Sequence, residues 1–378
     1  MFYYLAQQLL KCGAHSAWGE RLSPLRLFHY ITFRCAGAAI TALLLSWWLG
    51  PRVIRWLGQL RFSQLYKDKA GHGGGAPEQQ GTPTMGGILI MVALNGATLL
   101  WAQVTPLVSL VLLVVVVLTG LGFYDDYIKI TEQSGRGARP RVKLWVQTAL
   151  ALFAGLYLWL RPATSTLITD IMVPFYKYPV ASGAGLLGLG LTILAIVGSS
   201  NAVNLTDGLD GLAIGCTLIV SIVFVVLTYL AGHAVAAKYL QIPHVPGAGE
   251  LTVFCSALIG AGLGFLWYNC HPAQVYMGDT GSLALGGALG MTAVLIHQPL
   301  ILVIAGGVFV LEAVSVILQV GWFRYTRWRC GVGRRIFLMA PFHHHLVKQG
   351  WHKSQVVLRF YILGLLCAVV ALSTLKLR

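Results

Sequence analysis

Charge is scarce in this sequence. Only 10% of the 378 residues are Asp, Glu, Lys or Arg, against about 25% in an average soluble domain. Hydrophobic residues make up 57% of the chain, and its mean hydropathy is +0.73. This composition excludes an ordinary soluble globular protein. The net charge of +15 would suggest nucleic-acid binding in a soluble protein, but in a chain this apolar it favours contact with anionic lipid, and no nucleic-acid partner is expected.

Paired cysteines and a cleavable leader are also lacking. The seven cysteines are scattered without a CxxC spacing, which argues against a zinc site or a disulfide framework and favours small buried apolar side chains. The first thirty residues contain charges, His and a Ser-Pro pair instead of an apolar core and a small-residue cleavage site. We therefore expect the first membrane span to direct insertion.

Long apolar runs are what the chain has in abundance. A helix needs about 20 apolar residues to cross the ~30 Å hydrocarbon core of a bilayer. Ten such runs lie at about 31–50, 85–103, 106–124, 144–160, 184–200, 211–231, 251–268, 281–297, 300–321 and 356–375. The predicted fold class is an all-α polytopic membrane protein, in which residues 1–378 form a single domain built on a bundle of about ten transmembrane helices.

Basic residues are distributed unevenly between the two sets of connections. The set on one side comprises 51–84, 125–143, 201–210, 269–280 and 322–355, and it contains 17 Lys and Arg, whereas the internal connections on the other side contain three. Because cytoplasmic loops are enriched in Lys and Arg, the first set is predicted to be cytoplasmic. Both termini then lie on the opposite, periplasmic face, although four basic residues in the N-terminal segment favour the reverse orientation.

The acids are few enough to be informative, since the chain has only twelve Asp and Glu. Asp125 and Asp126 stand together where the third span ends, and Lys129 follows them. Two adjacent carboxylates repel each other at a membrane boundary unless a cation or hydrogen bonds offset their charge. The pair is therefore a candidate for chemistry on a Mg²⁺-bound diphosphate, and a solvated helix end is the alternative.

Two further polar segments separate long apolar spans. Asn204, Asp207 and Asp210 recur every three residues and share one face if the segment is helical, where they suit hydrogen bonding to a uracil or sugar edge. Asn269 precedes the second segment, in which Asp279 is a candidate ligand for a hard cation such as Mg²⁺. Loops selected for Asn, Asp and Gly turn chemistry are the alternative in both places.

The most basic segment contains three consecutive histidines, His343, His344 and His345. Adjacent side chains do not ligate one metal comfortably, and no Cys or His at zinc spacing accompanies them. Phosphate or diphosphate binding with acid–base work is the preferred interpretation, and surface histidines are the alternative.

Two single residues complete the candidates. Thr84 lies at the entry to the second span, where its hydroxyl and nearby backbone amides are suited to hold a phosphate; a structural turn is the alternative. Glu312 lies within an apolar run. Because an ionised carboxylate is unfavourable there, we expect Glu312 to be protonated, or hydrogen-bonded and facing the bundle interior.

Five of these segments, in order along the chain, closely resemble the polyprenyl-phosphate N-acetylhexosamine-1-phosphate transferase superfamily. They are GTPTMGG at 81–87, DDY at 125–127, NAVNLTDGLDGLA at 201–213, MGDTGSLALGG at 277–287 and APFHHH at 340–345. The histidine triplet and the TDGLDG form are more similar to the muramoyl-pentapeptide branch than to the enzymes that accept UDP-N-acetylglucosamine, which are the alternative. An ion-coupled transporter is disfavoured because the acids cluster at one boundary and no internal repeat is visible.

The resemblance implies an activity and a set of roles. The expected reaction transfers phospho-MurNAc-pentapeptide from UDP-MurNAc-pentapeptide to undecaprenyl phosphate in the bilayer of the bacterial inner membrane and releases UMP. The family uses Mg²⁺ as its cofactor and is usually a homodimer. The implied catalytic residues are Asp125, Asp126, Asp279 (also the Mg²⁺ ligand), His343, His344 and His345, and the implied substrate-binding residues are Thr84, Lys129, Lys143, Asn204, Asp207, Asp210 and Asn269.

The sequence departs from the family pattern in two places. Glu78, Gln79 and Gln80 stand where the family often has a Lys or Arg, so the nucleotide contact made there is expected to be weaker or to come from Lys67 or Lys69. The segment 322–335 is longer than usual and has extra Arg.

Overall fold

The computed structural model describes residues 1–13, 23–59, 82–132 and 137–375. The fold is all-α, as predicted. The helices are α1 (Phe2–Gly13), α2 (Ile31–Gln59), α3 (Gly87–Trp101), α4 (Pro106–Thr131), α5 (Pro140–Trp159), α6 (Thr166–Thr169), α7 (Gly185–Thr206), α8 (Leu212–Gly232), α9 (Ala234–Leu240), α10 (Gly249–Asn269), α11 (Gly278–Leu295), α12 (Pro299–Ala305), α13 (Gly307–Cys330), α14 (Phe342–Lys348) and α15 (Lys353–Ser373), with a 3₁₀ helix at Ser23–His29.

The membrane-spanning character of the bundle is confirmed. Within the described ranges, eight helices are long and apolar enough to cross a bilayer, namely α2, α4, α5, α7, α8, α10, α13 and α15. Each of the ten apolar runs falls on helix. The other two runs correspond to α3, which has only 15 residues, and α11, so a total of ten spans stays a prediction.

The central helix is α11, and its position explains why its sequence is less apolar. Every residue from Thr280 to Leu295 is buried, since α11 packs against α3, α4, α7, α8 and α12. A helix enclosed by other helices needs small side chains for close approach more than large apolar ones. A Cβ on Gly87 of α3 would collide with the backbone nitrogen of Gly281, and one on Gly122 of α4 would collide with the carbonyl oxygen of Asp279.

Several helices extend beyond the apolar runs into segments expected to be loops. Helix α4 begins with Thr105 as its N-cap and Pro106 in its first turn, but it continues through Asp125 and Asp126 to Thr131. Helix α7 likewise continues to Thr206. The acidic pair therefore lies on a helix rather than in a loop, because its partners on α5 and α11 satisfy the carboxylates there.

The run at 300–321 is not one continuous helix. It is divided at Gly306 into α12 and the longer α13. Gly306 has φ −88° and ψ 25°, outside regular helix geometry, and glycine adopts such a conformation readily. The break places Glu312 in the second turn of α13.

The N-terminal helix α1 and the following 3₁₀ helix were not predicted from the sequence. They pack at the start of α2, where Phe2, Phe28 and Phe33 surround the ring of Trp101. Beneath these rings Arg34 is 1% exposed and Glu250 is 6% exposed. Both Nη atoms of Arg34 donate to the Glu250 carboxylate, at 2.6 and 2.7 Å. Trp101 ends α3, about 21 Å along that helix from Gly87.

Candidate active site

Three carboxylates converge where α4 ends and α11 begins. Asp125 and Asp126 come from α4, and Asp279 comes from the first turn of α11. Their carboxylate oxygens lie within 4.8 Å of one another. Asp125 and Asp126 are buried, at 0% and 1% exposure, while the side chain of Asp279 is 13% exposed. The structure thus brings together the predicted catalytic aspartates from positions more than 150 residues apart.

Two lysines lie among these carboxylates. Lys129, one turn after Asp125, places Nζ 2.6 Å from Asp125 Oδ2, 3.0 Å from Asp279 Oδ1 and 3.7 Å from Asp126 Oδ1. Lys143 reaches in from the first turn of α5, 3.0 Å from Asp125 Oδ2 and 2.5 Å from Asp279 Oδ2. We call these five residues the Asp–Lys cluster. Its three carboxylates face two ammonium groups, so the cluster has a surplus of negative charge when all five groups are ionised.

Asp126 holds the start of α11. Its Oδ2 accepts hydrogen bonds from the backbone N–H of Thr280 at 2.9 Å and from the Thr280 hydroxyl at 2.7 Å. Its Oδ1 accepts one from the backbone N–H of Asp279 at 3.2 Å. A carboxylate at a helix N-terminus satisfies free N–H groups and interacts favourably with the helix dipole. Asp126 therefore fixes the position of Asp279 on α11.

Glycine is required at the turn that leads into this contact. Gly278 has φ +72°, and a Cβ on it would lie 2.6 Å from Asp126 Oδ2 and 3.0 Å from Thr84 Oγ1. An L side chain is disfavoured by the backbone and would collide with the carboxylate.

Asp125 is held differently. Its Oδ1 accepts a hydrogen bond from the backbone N–H of Ala138 at 2.8 Å, while its Oδ2 faces Lys129 and Lys143. Gly137, with φ +61°, passes close to this carboxylate, and a Cβ there would lie 2.7 Å from Oδ1. One oxygen of Asp125 is thus fixed by backbone, and the other faces into the cluster.

Thr84, a predicted phosphate ligand, lies beside the cluster. It is 1% exposed, and its hydroxyl has no hydrogen-bond partner among the described residues. A Cβ built on Gly278 would be close to both Thr84 Oγ1 and Asp126 Oδ2. The Thr84 hydroxyl and the Asp126 carboxylate therefore lie on either side of the same small space. A buried polar atom without a partner marks a place where a ligand can complete the hydrogen bonding.

Asp207 adds a further acid at this edge. It follows α7 directly, in the loop 207–211, and Asn204 lies on the last turn of the same helix. Burial raises the pKa of the Asp207 carboxyl to about 8, with the negative charges of Asp279, Asp126 and Asp210 as further causes. A hydrogen bond from the backbone of Gly278 opposes this rise. Asp207 is therefore near enough to Asp279 and Asp126 for their charges to act on its carboxyl group, and its role in substrate binding stays a prediction.

Asn269 and Asp210 both contact the loops that lie beside the site. Asn269 is 3% exposed; its Oδ1 accepts from the Gly211 N–H at 3.1 Å, and its Nδ2 donates to the Val275 carbonyl at 2.8 Å. Asp210 Oδ2 lies 2.8 Å from His271 Nδ1. Both side chains tie the loop 207–211 to the segment 270–277. Substrate binding by these two residues stays a prediction.

The three histidines have three different surroundings. His343 is fully buried, with Nδ1 3.1 Å from Glu312 Oε2. Burial, with the nearby positive charges of His343, Lys353 and Lys348, lowers the pKa of His344 to about 4. His344 is therefore neutral at pH 7.

His345 is engaged in local structure. Its Nδ1 accepts from the Leu338 N–H at 3.2 Å, and its Nε2 lies 3.1 Å from Gln349 Nε2. The structure thus places the triplet beside the site but gives its members distinct partners.

Gln147 and Thr280 are buried polar residues beside the site that sequence reasoning missed. Gln147 is fully buried on α5, donates to Ser200 Oγ at 3.1 Å and accepts from Asn201 Nδ2 at 2.8 Å. Ser200 in turn donates to the Leu283 carbonyl at 2.9 Å, so α5, α7 and α11 are joined. The available signal was the polar Gln147 within an apolar run, one turn after Lys143.

Some predicted features cannot be placed. Lys67, Lys69 and the segment Glu78 to Gln80 lie outside the described residues. The long segment after Trp322 is described: α13 continues to Cys330, and the segment 331–341 leads to α14.

Comparison with known proteins gives a consistent result. The model of glycosyl transferase family 4 matches residues 108–297, which include the three aspartates and both lysines. A phospho-N-acetylmuramoyl-pentapeptide-transferase of Opitutus terrae is 49% identical over 363 residues, covering 95% of this chain and 98% of that protein. Proteins of the same name from Desulfotalea psychrophila and Methylacidiphilum infernorum are 46% and 48% identical, covering 100% and 94% of this chain and 100% and 97% of their own lengths.

Proposed function

Because the chain belongs to glycosyl transferase family 4 and, within it, to the phospho-N-acetylmuramoyl-pentapeptide-transferases, we propose that the Asp–Lys cluster is the active site of a membrane phosphoglycosyl transferase. The reaction transfers phospho-MurNAc-pentapeptide from UDP-MurNAc-pentapeptide to undecaprenyl phosphate. Its products are lipid I and UMP, and it is a membrane step of peptidoglycan synthesis.

The observation that carries this assignment is the convergence of Asp125, Asp126 and Asp279 within 4.8 Å, with Lys129 and Lys143 between them. The reaction brings a phosphate and a diphosphate together, so most of its barrier comes from repulsion between anions. Two ammonium groups lower that repulsion by hydrogen-bonding to phosphate oxygens. A site at the end of membrane helices also gives a lipid phosphate and a water-soluble nucleotide access to the same groups.

Mg²⁺ is the proposed cofactor, and the residues present fit it. Mg²⁺ prefers carboxylate oxygens and keeps positions open for substrate phosphates. The cluster has more carboxylates than ammonium groups, and the buried hydroxyl of Thr84 beside it has no partner among the described residues. Asp279 would hold the ion, next to Asp125 and Asp126. When bound, Mg²⁺ neutralises charge on the substrate phosphates.

The proposed chemistry proceeds in one step. Asp125 takes the proton of undecaprenyl phosphate, whose phosphate oxygen attacks the β-phosphorus of the nucleotide. The bond from that phosphorus to the oxygen of the α-phosphate breaks, and UMP leaves with the electron pair. Asp125 suits this role because one of its oxygens is fixed by the Ala138 N–H while the other faces the cluster.

In the alternative, an aspartate attacks the β-phosphorus first and forms a phosphoryl-enzyme. UMP release in a single turnover without lipid acceptor would support that route, and its absence would support direct attack.

Substrate binding is assigned to the residues around the cluster. Asn204 and Asp207, at the end of α7, would line the uridine diphosphate pocket. Thr84 and the histidines would border the diphosphate. Asn269 and Asp210 would act in this pocket by holding its loops, as their contacts with Gly211 and His271 support.

The proposed location is the bacterial inner membrane. The distribution of basic residues supports a cytoplasmic active site and periplasmic termini, because the segments next to the Asp–Lys cluster belong to the set with 17 Lys and Arg. We also propose a homodimer, on the basis of the family resemblance.

One assay tests the assignment. Purified protein is given undecaprenyl phosphate and Mg²⁺ with either UDP-MurNAc-pentapeptide or UDP-N-acetylglucosamine, and UMP release is measured. UMP formation only with the first nucleotide is expected. Activity only with UDP-N-acetylglucosamine would transfer the protein to the other branch. Solute flux into proteoliposomes without UMP formation would identify a transporter.

A further inference from the structure

A second buried acid–base pair lies near the Asp–Lys cluster but is separate from it. Glu312 on α13 and His343 at the start of α14 are each 0% exposed. The Glu312 carboxylate accepts the backbone N–H of His343 at 3.1 Å through Oε1. Its Oε2 lies 3.1 Å from His343 Nδ1. The expectation that Glu312 faces the bundle interior and is hydrogen-bonded is thereby confirmed, and the structure adds the identity of its partner.

These contacts determine which nitrogen of His343 is available. The Glu312 carboxyl group occupies Nδ1, which lies 3.1 Å from its Oε2. The other nitrogen, Nε2, is buried and has no hydrogen-bond partner among the described residues. Leaving a buried polar group unpaired is unfavourable. Such an atom in a native fold suggests a ligand group that completes its hydrogen bonding.

The position of Nε2 indicates where that ligand group would be. A Cβ on Gly208 would collide with His343 Nε2 and would lie 3.2 Å from His344 Nε2. His343 Nε2 therefore faces the loop 207–211 at Gly208, which has no side chain. The preceding residue is Asp207, whose carboxyl is influenced by Asp279 and Asp126. His343 therefore presents its free nitrogen to the loop that borders the Asp–Lys cluster.

The surroundings of Glu312 add a second reason for the pairing. No Lys or Arg forms a salt bridge with Glu312 within the described ranges, where the side chain that faces its carboxyl group is His343. This contact fixes the plane of the His343 ring, as carboxyl groups do for other functional histidines. The remaining ring nitrogen, Nε2, is suited to a hydrogen bond with a phosphate oxygen.

We propose that Glu312 is a positioning residue that holds His343 so that its Nε2–H donates a hydrogen bond to a diphosphate oxygen of the nucleotide substrate. Glu312 itself does not touch the substrate. This inference rests on the proposed function. Within the histidine triplet it assigns the contact with the diphosphate to His343, the ring that Glu312 holds in place.

The test is a double-mutant cycle of Glu312→Gln and His343→Gln, with UMP release as the readout. The amide of the E312Q variant has one acceptor oxygen instead of two and holds the His343 ring less firmly, so kcat is expected to fall roughly 10- to 100-fold, because a hydrogen bond to a charged phosphate group is worth about 1.5–3 kcal/mol. The KM for the nucleotide is expected to change less than threefold. Because Glu312 acts through His343, E312Q should reduce kcat less than twofold further in the H343Q background.

A matched control is available on the same helix. Ser315 is buried one turn after Glu312 and donates to the Glu312 backbone carbonyl at 2.7 Å. Ser315→Ala therefore removes a buried hydrogen bond from α13 without changing the carboxylate, and its kcat should stay within twofold of wild type.

Several results would overturn the proposal. Losses that multiply in the double variant would show that Glu312 acts independently of His343. A folded E312Q with kcat within twofold of wild type would show that the pair only stabilises the fold. If E312Q does not fold, the cycle is repeated with Glu312→Asp, whose shorter side chain moves the carboxyl group away from His343. This variant must also fail to reduce kcat further in the H343Q background.

Wild-type activity tests the proposed function separately. If wild-type protein releases no UMP, that function fails. In that case the affinity for UDP is measured by calorimetry for wild type, both single variants and the double variant. Losses of affinity that add in the double variant would refute the role of Glu312.

Discussion

Buried charge occurs at two ends of this helix bundle, and it is organised differently at each. Near the start of α2, Arg34 and Glu250 form a one-to-one pair in which two N–H groups meet two carboxylate oxygens. Where α4 meets α11, three aspartates share two lysines. The first arrangement is neutral and enclosed by aromatic rings, whereas the second has surplus negative charge and is partly open.

The difference shows that buried charge alone does not mark an active site. A matched pair like Arg34 with Glu250 has no charge left to attract a ligand, and removing one member leaves the other uncompensated. The Asp–Lys cluster has acids that its own lysines do not neutralise, so a cation and phosphate groups can enter it with favourable energy. On this view the Arg34–Glu250 pair stabilises the fold and the Asp–Lys cluster performs the chemistry.

The largest expected effect is on turnover at the cluster. Asp125→Asn removes the proton acceptor while the side chain keeps its shape, so kcat should fall by roughly 10²–10⁴, the usual contribution of general acid–base catalysis. Nucleotide binding should persist. UMP release and nucleotide calorimetry measure the two quantities, and turnover near the wild-type rate would refute the role of Asp125.

The opposite pattern is expected at the Arg34–Glu250 pair. Glu250→Gln leaves a buried guanidinium without its counter-ion, which is unfavourable by about 3–5 kcal/mol. The melting temperature in detergent should fall by several degrees, and kcat per folded molecule should stay within twofold of wild type. A loss of kcat with an unchanged melting temperature would contradict the distinction between the two regions.

A smaller effect is expected where structure and chemistry meet. Thr280→Val removes the hydroxyl that donates to Asp126 Oδ2 at 2.7 Å but retains the backbone N–H bond. Losing a hydrogen bond to a charged group is worth about 1.5–3 kcal/mol, so the melting temperature should fall modestly, and kcat should fall because Asp279 is held less firmly. Thr292→Val is a control, since Thr292 lies on the same helix and donates to the carbonyl of Ala288 without contacting Asp126.

A last expected effect appears only as a dependence of stability on pH. The pKa of Asp207 is raised from an ordinary value of 3.8 to about 8, so the folded state disfavours its ionisation, and the protein loses stability as pH rises from about 4 towards 8. Asp207→Asn does not ionise. In Mg²⁺-free buffer its melting temperature should exceed that of wild type by a few degrees at pH 8 but not at pH 4. A difference that is constant across this range would contradict the assignment.

The sequence alone predicted much of the fold. Apolar runs placed each long helix because twenty consecutive apolar residues have few other stable arrangements in a bilayer. The runs did not show where helices end, since polar residues such as Asp125 and Asn204 continue a helix when their side chains find partners. Nor did they predict α1, which is too short to span and has no apolar run.

Much of the candidate site was also predictable, since the polar residues at helix ends are few in a chain this apolar. The contacts between them were not. That Asp126 caps α11, that Lys143 reaches Asp279 and that Glu312 pairs with His343 depend on how distant helices pack, and local sequence patterns contain no information on that packing. The same reason explains why the contacts of the Asn269 amide group with two loops were not predicted.

The central claim is that surplus negative charge at the Asp–Lys cluster binds a divalent cation for phosphoryl transfer. Its most direct test is the Mg²⁺ dependence of UMP release from UDP-MurNAc-pentapeptide by wild type, Asp279→Asn and Glu250→Gln. Wild type and E250Q should share one half-saturating Mg²⁺ concentration and lose activity in EDTA, and D279N should be inactive at every concentration. Wild-type turnover that persists in EDTA, or a D279N variant with the wild-type Mg²⁺ dependence, would contradict the claim.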